Sequence, residues 1–127
     1  MEANTNTLNW FEVPVADFER GKKFYETIFG ISMHTMDFGP FKMGMFPSEP
    51  NSGKLNGAIC FGEGYKPSQE GALVYFNANP DMQPVLDRIE AAGGKILQQK
   101  TQITPEYGYM AIILDTEGNR VALHSNK

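Results

Sequence analysis

The sequence predicts an α+β fold made of two paired βαβββ modules that enclose a cleft, and three observations lead there. Strand alternation and helical periodicity follow one another as strand, helix and three strands, and then do so again. The glycines that stop the two helices, Gly30 and Gly93, lie 63 residues apart, and the same shift carries the first strand onto Ala72 to Asn77. Finally, 127 residues with 41% AVILMFWYC content supply one core rather than two, so the whole chain is expected to form a single domain. Each half can bury its sheet only by packing against or pairing with the other, which places a pseudo-twofold cleft between them.

The elements follow in order, with module 1 over about residues 8–62 and module 2 over about 71–125. Leu8 to Val15 alternates as a strand, with Phe11, Val13 and Val15 on one face and Trp10 and Glu12 on the other. Pro14 puts it near a sheet edge or sits at the end of the strand. Asp17 offers an N-cap, Phe18, Phe24, Tyr25, Ile28 and Phe29 recur at helical spacing, and Gly30 ends the helix. Three strands are expected at Ile31 to Phe38, Phe41 to Phe46 and Leu55 to Phe61. In module 2, Ala72 to Asn77 is a strand. Asp81 opens a helix with an apolar face of Met82, Val85, Leu86, Ile89 and Ala92, and Pro84 is tolerated in its first turn, where the backbone N–H has no helical partner. Gly93 and Gly94 stop it. Lys95 to Gln102, Tyr107 to Leu114 and Asn119 to His124 complete the set, the last two joined by the turn Asp115-Thr116-Glu117-Gly118.

Composition closes several destinations. A net charge of −4 has the wrong sign for a phosphate-backbone binder, so no nucleic-acid partner is expected. The basic run Arg20, Lys22, Lys23 reads as a solvated helix face. No apolar stretch approaches the roughly 18 residues that span a membrane, and residues 1–7 lack the basic and apolar segments of a signal peptide. The expected setting is the cytoplasm, with no membrane partner. Cys60, the lone cysteine, cannot form an internal disulfide and reads as a small buried residue on the helix-packing side of its strand. Met33, Met36, Met43 and Met45 read as core, and His34 as surface.

Three segments carry a family resemblance: Asn9-Trp10-Phe11-Glu12-Val13-Pro14-Val15-Ala16-Asp17, Phe24-Tyr25-Glu26-Thr27-Ile28-Phe29-Gly30, and Asp115 to His124. In this order and spacing they resemble the vicinal oxygen chelate superfamily, which includes glyoxalases, bleomycin-resistance proteins and extradiol dioxygenases. The resemblance implies a glyoxalase-like curved-sheet cleft, a small-molecule ligand and, in many members, a homodimer. It also implies where a metal would sit in metal-dependent members. Those positions fall here on Trp10, Leu73, Ala122 and, by the 63-residue shift, Ile59, none of which can coordinate a cation. No metal and no cofactor are therefore expected.

A second layer of the same strands places Glu12, Phe61, Tyr75 and His124 toward the cleft. With Trp10, Leu73 and Asn77 they form the expected ligand-binding set, mixing apolar walls with a few directed polar groups. Two functional readings remain. One is a glyoxalase-like protein that binds a small molecule without the usual metal site. The other is a lyase, isomerase or dioxygenase of the same superfamily that uses a metal or the candidate acid–base pair Glu12 and His124.

Overall fold

The computed structural model describes residues 1–127. β1 (Trp10–Pro14) leads into α1 (Phe18–Phe29), β2 (His34–Phe38), β3 (Phe41–Met45) and β4 (Asn56–Phe61). β5 (Tyr75–Asn77), α2 (Gln83–Ile89), β6 (Lys95–Thr104), β7 (Gly108–Leu114) and β8 (Arg120–Ser125) then repeat that order. The strands form two four-stranded sheets, ordered β1-β4-β3-β2 and β5-β8-β7-β6. In each sheet the first strand runs parallel to the last and the other pairs are antiparallel, as an α+β fold of two βαβββ units requires.

Local chemistry explains the elements. At the start of α1, Asp17 takes the N–H of Arg20 on its carboxylate at 3.0 Å, and at its end Gly30 adopts the left-handed conformation, with φ of 63°. The second helix is shorter than expected. It begins at Gln83 after Met82, which has no side-chain cap, although Asp81 Oδ1 accepts the Gln83 N–H at 2.9 Å. Beyond Ile89 the chain tightens into a turn before Gly93 and Gly94, which leaves Ala92 outside the helix. β5 keeps only three of its six expected residues, because ladder pairing with β8 starts at Tyr75 opposite Ala122.

One core serves both sheets. Val13, Val15, Phe24, Tyr25 and Ile28 from the first half are buried with Phe76, Leu86, Ile89, Ile113 and Leu123 from the second. Phe76 is the hub of an aromatic cluster, with ring centroids 5.6 Å from Phe11, 5.3 Å from Phe46 and 5.5 Å from Phe29. No helix is long and apolar enough to cross a membrane.

The register shows which side chains face away from the core, and it corrects the expectation for β4. Val13 pairs with Ile59 and both are buried in the core, so Glu12 and its partner Ala58 project to the opposite, open face. Ile59 and Phe61 therefore lie on the helix side, and Cys60 lies on the open face. Phe61 is paired with Lys42, whose ammonium sits over the Phe18 ring of α1. The cause is a length difference between the modules: 46 residues separate Glu12 from Ala58, and 47 separate the equivalent pair Tyr75 and Ala122. A constant shift of 63 holds for β1 and β5 but becomes 64 for β4 and β8, and one residue of error turns a strand over. The methionines need correction too. Met33 is in the core, but Met43 and Met45 pair with Cys60 and Ala58 and so share the open face, with Met36 beside Met43. His34 is exposed.

Candidate functional site

Glu12 stands on β1 at the centre of a small polar cluster. Its Oε1 accepts the Tyr65 hydroxyl at 2.8 Å, and its Oε2 accepts the Trp10 indole N–H at 3.2 Å. The hydrogen bond to Glu12 is the main cause that raises the Tyr65 phenol to about 12. Cys60 lies fully buried beside the same carboxylate, and burial, followed by the Glu12 charge, pushes its thiol up to about 12. A thiol held this firmly protonated is a poor nucleophile. Tyr65 sits in the connector between the modules and carries no periodic signal, which is why the sequence did not single it out.

His124 belongs to a separate set. Its Nε2 lies 2.6 Å from the Tyr107 carbonyl oxygen, and no hydrogen bond joins it to Glu12. Asn77 is its ladder partner across β5 and β8.

A groove of about 1160 Å³ is lined by Trp10, Leu73, Tyr75 and Asn77, with Phe11, Phe46 and Phe76 from the aromatic cluster. Four of the seven predicted ligand-binding residues thus meet in one groove. Glu12 adjoins it through the Trp10 indole, whereas His124 is not part of the lining and Phe61 lies on the helix side of its sheet. Trp10 is 39% exposed and Tyr75 51%, so both rings are open to solvent.

What holds the two modules in position is the turn after β7. Asp115 is 4% exposed and accepts the Tyr25 hydroxyl at 2.7 Å, the Glu117 and Asn119 N–H groups at 2.9 and 2.8 Å, and Asn119 Nδ2 at 2.9 Å. Asn119 Nδ2 also donates to the Pro14 carbonyl at 2.7 Å. Glu117 accepts the N–H groups of Ala16 and Asp17 at 2.9 and 2.7 Å and is ion-paired with Arg20 at 2.7 Å. Burial raises the Glu117 carboxyl, but the bonds from Arg20, the Asp17 N–H and Thr116 outweigh it and leave it below the ordinary carboxylate value. The motif that carries the family resemblance is therefore a clamp. Arg20 joins it from the solvated face of α1, its side chain about half exposed, as expected.

This pairing of modules and this clamp coincide with a match over residues 7–123 to the family model of the Glyoxalase/Bleomycin resistance protein/Dioxygenase superfamily. The chain belongs to this superfamily. A glyoxylase-like domain-containing protein from Didymella fabae is 28% identical over 119 residues, covering 91% of each chain. Glyoxalase I from Zea mays superimposes with a TM-score of 0.70 at 22% identity, covering 98% of this chain and 48% of that one. The chain thus spans about half the length of the maize protein. The fosfomycin resistance protein FosX from Listeria monocytogenes gives a TM-score of 0.66 at 18% identity, covering 97% and 92%.

Superfamily members that use a divalent ion need converging nitrogen or oxygen donors, and the residues here do not fit one. Once the register is corrected, the four positions hold Trp10, Leu73, Ala58 and Ala122: an indole, an isobutyl group and two methyls. No three His, Cys, Asp or Glu side chains elsewhere converge on a point that would hold an ion.

Proposed function

We propose that this superfamily member binds a small organic molecule in the groove between its modules, without the metal ligands used by its metal-dependent relatives. The observation that carries the reading is the groove itself: an aromatic floor of Phe11, Phe46 and Phe76, apolar walls from Trp10 and Leu73, and sparse polar groups including Asn77. A ligand seated there touches the only tryptophan of the chain. The test is a panel of small aromatic, keto and thiol-conjugated compounds read by Trp10 fluorescence, with thermal stabilisation as a second readout, since a ligand of the native state raises the melting temperature by mass action. Saturable responses lost in Leu73→Arg are expected. A panel that leaves both readouts unchanged overturns the reading.

We also propose that two copies associate, a reading supported by Met36, Phe38 and Phe41, which are exposed on the open face of the first sheet. Light scattering that finds only monomer at high concentration would reject it.

A further inference from the structure

We infer that the groove selects an organic carboxylate, with the apolar body over the Phe76 cluster and the anionic end met by Arg88, Asn77 and Asn79. This rests on the proposed ligand-binding groove and adds the charge and chemical class of the ligand. All three residues line the groove.

The free side-chain groups of these three lining residues are donors, for reasons local to the chain. Asn77 Oδ1 accepts the Asn79 N–H at 2.9 Å, and Asn79 Oδ1 accepts the Asn126 N–H at 2.7 Å. A backbone N–H can be accepted only by the amide oxygen, so in both residues the orientation is fixed and the NH₂ group is left to donate. Arg88, on α2, gives one N–H from Nη1 to the Ile28 carbonyl at 2.8 Å and has no carboxylate partner. That anchor holds the guanidinium at the end of α1 while Nε and Nη2 keep donors for a ligand. The groove's only carboxylate, Asp81, is already engaged by Lys100 at 2.9 Å and by the Gln83 N–H.

Among the residues that line the groove, the charge left without an opposite partner is therefore that of Arg88, in a chain whose net charge is −4. The donors of Arg88, Asn77 and Asn79, beside an apolar floor, match an acceptor-only group on an apolar body. On the opposite wall Asn56 spends its Nδ2 on the Phe46 carbonyl at 3.0 Å and offers an oxygen, so donors and acceptor come from different modules. A neutral amide could use both ends, but only an anion gains from Arg88.

The experiment compares 4-phenylbutanoate with its neutral isostere 4-phenylbutanamide on the full chain, by Trp10 fluorescence and calorimetry. The acid is expected to bind about tenfold tighter or better, with a preference that shrinks as salt is raised. Arg88→Gln should bring the two within about twofold of each other, and Arg88→Lys should retain part of the preference. Equal affinity for acid and amide, or a preference unaffected by salt in the wild-type chain, overturns the carboxylate inference while leaving a ligand-binding groove standing. Absence of binding by either compound also overturns it, and the wider panel then decides whether the groove binds anything.

Discussion

Replacing Tyr25 by Phe removes a single oxygen atom from the junction between the modules, and the structure gives the expected cost. The hydroxyl is fully buried and donates to Asp115 Oδ2 at 2.7 Å. A net contribution of about 1.5–3 kcal/mol is typical for a hydrogen bond to a charged group. Asp115 keeps three other donors, two backbone N–H groups and the Asn119 amide, so its charge is not stranded and the cost should fall near ~2 kcal/mol. For a chain of this length the unfolding entropy is about 0.27 kcal/mol/K, so the melting temperature should drop by roughly 7 °C. Differential scanning calorimetry at neutral pH measures it, and a double-mutant cycle with Asp115→Asn isolates the pair. A loss below about 0.5 kcal/mol, or a coupling energy of zero in the cycle, would refute the claim that this bond joins the modules.

Two further outcomes follow from the titrating groups. Glu117 has a folded pKa below its unfolded value, so its stabilisation is present above the ordinary carboxylate range and fades as pH falls through the folded pKa. The stability gap between wild type and Glu117→Gln, measured by urea unfolding, should narrow from pH 5 toward pH 3, and a gap that stays constant contradicts the clamp. The Cys60 thiol, buried and raised to about 12, should react with a thiol reagent at pH 8 only when the chain unfolds. Stoichiometric labelling of the native protein within minutes would show that Cys60 is not buried beside Glu12 as described.

The helices and the duplicated strand order were legible because their signals are local. Asp17, the Phe18 to Phe29 periodicity and Gly30 act within a few residues of one another, and the structure uses each of them. The face of β4 was not legible, since it depended on carrying one offset across segments of unequal length. That error moved Cys60 to the wrong side and Phe61 into the expected cleft. Trp10, Leu73, Tyr75 and Asn77 share a groove to which β1 and β5 contribute neighbouring residues of both faces, Phe11 and Phe76 among them, so strand alternation alone does not outline it. The clamp residues Asp115, Glu117 and Asn119 were visible as a turn but not as a junction. Their partners Tyr25, Ala16, Asp17 and Pro14 lie 90 to 105 positions away, and turn chemistry alone does not report contacts at that range.

That span also bears on how the chain acquires its structure. The backbone at the start of α1 has its N–H groups satisfied by Glu117, about a hundred residues later. The first module can form its sheet and the Asp17 cap of its helix from its own sequence, but the Ala16 and Asp17 N–H groups just before that helix find their partner only in the turn after β7. Closing so long a loop costs entropy before any contact rewards it, and long-range closure of this kind slows folding. The first half alone should therefore leave Phe11 and Phe46 uncovered until the second module brings Phe76 onto them, a period in which association with other unfinished chains competes with completion of the fold.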